Sequence, residues 1–311
     1  MNSESTTPDT SDEIVAAPPL HCGFAALVGR PNVGKSTLLN ALIGEKLSIV
    51  TPRPQTTRHR VLGIYHREGV QIAFVDTPGL HQGEHRALNR AMNRAAAAAL
   101  QDADVVVFVI EALKWTAEDE LVLERIKRSE RPVIAAVNKV DRVYPKDRLL
   151  PYLANLSGRH TFIDMVPISA QKLDNLTPLV DAISRQLPQS VALFPTEQLT
   201  DKSLSFRIGE TIREKLTLEL NQELPYGIAV EIEQMKDEDG QLVVQASIWV
   251  DREGQKPIVI GAKGERLKRV GKSARLELNA LLKRRLHLEL WVKVREDWAD
   301  NARALQQLGL E

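Results

Sequence analysis

Gly29-Arg30-Pro31-Asn32-Val33-Gly34-Lys35-Ser36 fits G-x-x-x-x-G-K-[ST], the phosphate-binding loop. An apolar run, Gly23-Phe24-Ala25-Ala26-Leu27-Val28, leads in and reads as a buried strand. A helical pattern, Thr37-Leu38-Leu39-Asn40-Ala41-Leu42-Ile43, leads out and stops at Gly44. The loop therefore lies between a strand end and a helix start. Backbone N–H groups and the helix dipole can hold phosphate oxygens there. Gly29 and Gly34 allow the backbone to approach closely. Lys35 would reach the β- and γ-phosphates, and the Ser36 hydroxyl would face Mg2+.

Working outward, apolar runs alternate with helical patterns as far as residue 187. Strands are expected at 23–28, 61–66, 70–75, 104–110, 132–137 and 162–168. Several are near-continuous Val, Ile, Ala and Phe, as strands buried on both faces should be. Helices are expected at 86–100, 118–129, 146–156 and 173–187. The pattern predicts an α/β fold, a mostly parallel six-stranded sheet with helices on both faces. Arg67-Glu68-Gly69 is a hairpin-length link, so one strand should run antiparallel. The domain reading is a disordered tail at 1–20, a nucleotide domain at 21–187, a linker at 188–200 and a second domain with a C-terminal tail at 201–311. The second domain changes character. A helix at 201–220, alternating strands at 226–233 and 242–250, a Gly-rich basic stretch, a helix at 272–285 and a strand at 287–295 give the order α-β-β-α-α-β.

The whole chain bounds the function class. Its 311 residues allow about two domains. Net charge is zero, but the span from Arg252 to Arg285 holds 11 Lys/Arg against 3 Glu. A single cysteine, Cys22, excludes an internal disulfide framework. His81 and His85 lack a third ligand at metal spacing. No apolar run approaches the roughly 20 residues of a membrane span. A cytoplasmic location is expected.

Further motifs each end a predicted strand. Asp76-Thr77-Pro78-Gly79 can place a carboxylate near Mg2+ and the Gly79 N–H near a γ-phosphate. In Asn138-Lys139-Val140-Asp141, the aspartate can accept two hydrogen bonds from the guanine edge, a donor pair that adenine lacks. Ser169-Ala170 could put a backbone N–H on the base carbonyl. This order favours a GTPase over two rivals, an ATP-using kinase and an RNA-binding protein with a vestigial nucleotide fold. In the second domain, Gly261-Ala262-Lys263-Gly264 is a G-x-x-G loop. Lys263, Arg266, Lys268, Arg269 and Lys272 supply charge around it. Within the α-β-β-α-α-β frame this predicts an RNA-binding KH module of the second topological type.

These residues resemble the Ras-like, translation-factor-related GTPases, and among them the bacterial Era family. The likeness runs through residues 29–40, Gln55-Thr56-Thr57-Arg58-His59-Arg60, Asp76-Thr77-Pro78-Gly79-Leu80, Asn138-Lys139-Val140-Asp141, Glu223-Leu224-Pro225-Tyr226 and residues 287–294. The resemblance implies a GTP/GDP site built on residues 29–37 (Thr37 included), 76–80, 138–141 and Ser169-Ala170. It implies a switch I at 55–59, with Ser36, Asp76 and Thr57, or its neighbour Thr56, around Mg2+. It also implies 16S ribosomal RNA near its 3′ end and the 30S subunit as partners, a peripheral contact with the inner membrane, no DNA partner and a monomer. Leu80 stands where many GTPases carry a water-orienting Gln, so slow intrinsic hydrolysis is expected. Asn32 resembles the asparagine of K+-activated relatives. From the residues it can equally be a turn residue.

Overall fold

The computed structural model describes residues 20–54, 56–79, 86–220, 227–238 and 240–310. The first unit comprises β1 (Leu20–Val28), α1 (Lys35–Ile43), β2 (Val61–Arg67), β3 (Val70–Asp76), α2 (Ala87–Asp102) and β4 (Val105–Glu111). It continues with α3 (Ala117–Lys127), β5 (Val133–Asn138), α4 (Leu149–Ser157), β6 (Asp164–Pro167), α5 (Leu176–Ser184) and β7 (Gln189–Ser190). The strand order is β2-β3-β1-β4-β5-β6, with only β2 antiparallel to its neighbour within this path. Strands β3, β4 and β5 are apolar at nearly every position because helices cover both faces. Leu27 pairs with Asp76 on one side and Val107 on the other, and Glu111 pairs with Asn138. The functional loops thus emerge side by side at one edge, where the connections from β1 diverge to opposite faces.

The residues read as a linker, 188–200, are attached to this sheet. β7 pairs with β1, making a seventh strand. Gln71 Oε1 accepts the N–H groups of Leu193 (2.7 Å) and Phe194 (3.0 Å), and Thr200 bridges Gly63. Sequence pattern could not show this, because the partners are distant in the chain.

The second unit comprises α6 (Leu204–Glu219), β8 (Ile228–Glu238), β9 (Gln241–Val250), α7 (Lys256–Ile260), α8 (Glu265–Leu282), β10 (Leu286–Val294) and α9 (Ala302–Gln307). Its sheet order is β10-β9-β8, with β10 parallel to β9. Ile228, Val230 and Ile232 face the core formed with α6 and α8, as the alternation predicts. The strand expected at 226–233 runs on to Glu238, and both long helices start elsewhere than expected. Helix α6 starts at Leu204, where the Ser203 hydroxyl accepts from Phe206 N–H (3.2 Å) and caps the helix. Helix α8 starts at Glu265 rather than 272, so Arg266, Lys268 and Arg269 are helical, not loop residues. The tail predicted at 1–20 has only Leu20 among the described residues, and that residue opens β1.

Candidate functional site

A cavity of about 530 Å3 opens where these strand ends meet, lined by the loop after β1, residues 49–53 and 56–57, and the loops after β3 and β5. Gly34 has φ 105°, and a Cβ there would lie 2.4 Å from Asn138 Nδ2. Backbone conformation and space both demand glycine. Lys35 is buried, and its Nζ donates to Gly29 O (2.8 Å) and Arg30 O (3.0 Å). Burial lowers its ammonium to about 8, against the opposing pull of Asp76. Arg30 does not line the cavity. Its guanidinium turns back to Asp119 (3.1 Å) and Glu111 (3.0 Å), bracing the loop from behind. Burial alone would raise the Glu111 carboxyl, but Lys139 and Arg30 outweigh it and hold it below the usual range. Gly29 and Val33 likewise lie outside the lining, in structural roles.

At one end of the cavity, Ser36 Oγ lies 2.7 Å from Asp76 Oδ2 and 2.8 Å from Thr57 Oγ1. Asp76 is fully buried, and its Oδ1 has no hydrogen-bond partner among the described residues. Burial pushes its carboxyl up, opposed first by Lys35 and then by Ser36. Thr56 points elsewhere, its Oγ1 meeting Thr51 Oγ1 (2.6 Å) and Arg53 O (2.8 Å). The two threonines that sequence left open are therefore distinguished by direction. Thr37 and Gly79 also line the cavity, while Thr77 is buried with its Oγ1 donating to Leu27 O (3.0 Å).

At the other end, Asn138 ties three loops together. Its Nδ2 donates to Val33 O (2.8 Å), and its Oδ1 accepts from Lys139 N–H (2.8 Å) and Ala170 N–H (3.0 Å). The Ala170 amide, expected on a base carbonyl, is thus engaged by Asn138. Lys139 Nζ donates to Asn32 O (2.7 Å) and Glu111 (3.0 Å). Asp141 lines the cavity, with Oδ1 accepting from Ser169 Oγ (2.6 Å). Val140 is buried beneath it. Leu80 and Gln55 lie outside the described residues.

The segment called switch I divides in two. Thr57 faces the cavity, but Arg58 and His59 face the second unit. Arg58 Nη1 donates to Ile228 O (2.7 Å), and its guanidinium sits 5.8 Å from the Trp298 ring centroid. His59 Nε2 is 2.9 Å from Leu308 O, and its ring meets Phe206 edge-on at 4.9 Å. Burial lowers the His59 imidazole, with Glu210 opposing. Helix α6 grips the rest of the segment. Arg213 donates to Thr56 O, Glu214 Oε1 accepts from Val50 N–H (3.0 Å), and Arg53 Nε donates to Thr217 O (3.0 Å). Arg53, Arg213 and Glu214 escaped sequence reading because no local motif marks a contact between residues about 160 positions apart.

On the second unit, the residues 261–264 turn through left-handed backbone at Gly261 (φ 76°), Lys263 (φ 51°) and Gly264 (φ 78°) into the N-terminus of α8. A Cβ on Gly261 would lie 2.7 Å from Arg266 Cβ. Ala262, Lys263, Lys268 and Lys272 are exposed. The three lysines hold no ion pair among the described residues. Two of the other expected phosphate ligands are committed elsewhere. Arg266 folds back onto Ile258 O, and Arg269 is paired with Glu219 (3.0 Å).

A family model described as 50S ribosome-binding GTPase matches residues 24–139, and a KH domain model matches residues 223–299. The GTPase Era of Marinobacter nauticus is 54% identical over 94% of this chain and 96% of its own length. The chain belongs to the Era family of GTPases. The Era of Haemophilus ducreyi is 50% identical over 95% of this chain and 98% of its own. An Aquifex aeolicus Era variant, solved bound to GDP and AlF4−, has a TM-score of 0.91 at 42% identity, covering 94% of this chain and 99% of its own. A second solved Era, in complex with MgGDPNP and nucleotides 1506–1542 of 16S ribosomal RNA, matches with the same TM-score, identity and coverage.

Proposed function

We propose that this Era-family chain is a GTP-hydrolysing switch that binds 16S ribosomal RNA near its 3′ end and assists assembly of the 30S subunit. The observation that carries it is the single cavity that joins a phosphate loop, a hydroxyl–carboxylate cluster and an aspartate suited to guanine. The nucleotide unit spans 21–187 and the RNA unit 201–311, joined through 188–200. Lys35 and the backbone N–H groups of 34–37 hold phosphates, with Gly79 at the γ-position. Asp141 accepts the guanine edge, and Asn138 holds the base loops in register. Two hydroxyls and a carboxylate with an unpartnered oxygen form the hard oxygen set that Mg2+ prefers, so Ser36, Thr57 and Asp76 fit that ion. When bound, Mg2+ would neutralise charge developing between the β- and γ-phosphates. Asn32 adopts left-handed backbone (φ 62°) and donates from Nδ2 to Pro52 O (3.0 Å). Its Oδ1 accepts no hydrogen bond among the described residues. It serves as turn residue and as an oxygen ligand for K+, which compensates for leucine at position 80.

RNA lies along the 261–264 loop, with Lys263, Lys268 and Lys272 as free cations. The chain acts as a monomer. Asp141→Asn tests the base contact, because it reverses the hydrogen-bond polarity facing the guanine amine. GTP affinity should fall and xanthosine triphosphate affinity should rise in a nucleotide titration. An unchanged preference for GTP would sink the assignment.

A further inference from the structure

Helix α2 begins against the second unit. Ala87 N–H donates to Asp300 Oδ1 (2.8 Å), and Leu88 and Met92 are buried with Trp249 and Trp298. Its remaining surface and the end of α3 enclose an open groove of about 460 Å3. Arg90, Arg94, Arg125 and Arg128 line the groove, all exposed, and no carboxylate among the described residues does. Other arginines of this chain, such as Arg30, Arg67 and Arg284, sit on carboxylates. Arg94 and Arg125 reach none among the described residues. Of the acids on these two helices, Asp102 holds Arg60 and Glu124 holds Lys127. Arg131 adds a cation at the rim, donating to Gln101 O (2.7 Å).

Arg94 and Arg125, held by no carboxylate among the described residues, repel their cationic neighbours and raise the local potential. A polyanion relieves that repulsion, and each planar fork can take a phosphate through two hydrogen bonds. Gln101, also in the lining, adds a neutral amide suited to a sugar hydroxyl, while the Ser129 hydroxyl, already donating to Ile126 O (2.7 Å), can still accept.

We propose that this arginine groove is a second RNA contact, gripping the sugar-phosphate backbone of the same RNA held at the 261–264 loop. The inference rests on the RNA reading above. RNA is favoured over an acidic protein segment because α2 is fastened to the RNA unit. The groove therefore keeps a set offset from the 261–264 loop. A KH groove takes only about four nucleotides, so a longer RNA has backbone left to engage elsewhere.

The test uses the full chain carrying Arg94→Glu and Arg125→Glu, with Arg94→Gln/Arg125→Gln as a milder pair. Binding is titrated at several salt concentrations against a short single-stranded RNA and against nucleotides 1506–1542 of 16S ribosomal RNA, beside a GTPase assay. The variants should bind the short strand and hydrolyse GTP like the parent. On the long fragment the Glu pair should lose about tenfold in affinity, and the Gln pair about two released counterions from the salt slope. Parent-like affinity and slope on the long fragment would overturn the proposal. So would parent-like binding to naked RNA with a loss confined to whole 30S subunits, which would mark an acidic ribosomal protein as the occupant. A parent that binds neither RNA would instead refute the RNA reading itself.

Discussion

The two ligand loops, 29–36 and 261–264, use similar backbone devices in opposite surroundings. Each combines left-handed residues with a helix N-terminus: Asn32 and Gly34 before α1, Gly261, Lys263 and Gly264 before α8. The first is enclosed. Its lysine is buried, and Asn138 stands against Gly34. The second is open, and a Cβ on Gly264 would meet nothing within 4 Å. An enclosed loop desolvates its ligand and recognises one shape through directed hydrogen bonds. An open loop recognises a charged chain mainly through screened attraction.

That contrast can be broken from either side. The largest effect should come from Lys35→Ala. A charge-assisted hydrogen bond is worth about 1.5–3 kcal/mol, so losing two should weaken triphosphate binding at least about a hundredfold. Binding of a short RNA should not change. If both fall together, the two loops are not separate sites. Next, Gly261→Asp with Gly264→Asp places carboxylates where phosphates would lie. RNA affinity should drop by about thirtyfold in filter binding while GTP hydrolysis persists. RNA binding that survives in the folded variant would reduce the loop to a solvated turn.

A smaller effect follows from the Lys35 ammonium, lowered to about 8 by burial. Below that value the charge is present and favours phosphate; above it the free protein has lost the charge. GTP affinity should therefore fall about tenfold between pH 7 and pH 9, by isothermal titration. Lys35→Arg, whose charge does not titrate there, should flatten the fall. A flat parent profile would show that the loop does not depress this lysine. The sign reverses for folding. The unfolded chain keeps the proton that the folded one releases, so stability without ligand rises from pH 8 towards the ordinary lysine value. The smallest effect compares two helix residues. Lys268→Ala should cost about threefold in RNA affinity and one counterion of salt slope, and Arg269→Ala less, because Arg269 is already paired with Glu219. Equal losses would mean that the pair opens when RNA binds.

The enclosed site was largely legible in the sequence, and the open one only in part. The motifs around Lys35, Asp76 and Asn138 each end a strand, and parallel pairing brings strand ends together without further information. What sequence missed depends on distant partners. Arg266 and Arg269 read as free cations, but their acceptors are a backbone carbonyl on α7 and a carboxylate on α6. The start of α8 was placed late because a Gly-rich basic stretch lacks the apolar period that announces a helix. Yet Val270, Ala274 and Leu278 give it a buried stripe. Arg58 and His59 read as part of a nucleotide switch, although their partners lie about 170 and 249 residues away.

The attachment of residues 188–200 to the first sheet has a mechanical consequence. The stitching continues past Thr200, since Leu62 N–H donates to Asp201 Oδ1 (3.2 Å) and Ile64 N–H to Leu199 O (2.9 Å). Helix α6 is already capped at Ser203. Between clamp and cap stands Lys202, itself paired with Asp201 (3.1 Å) and 5.5 Å from the Phe206 ring centroid. A pivot confined there has only a few soft dihedrals. The second unit is mounted like a door on a short stiff hinge, latched by Arg53, Arg58 and Arg213 and by the contact of α2 with Asp300, Trp249 and Trp298. Were those contacts and the α2 seam released together, a link this short would confine the second unit to an arc, where a long tether would let it wander.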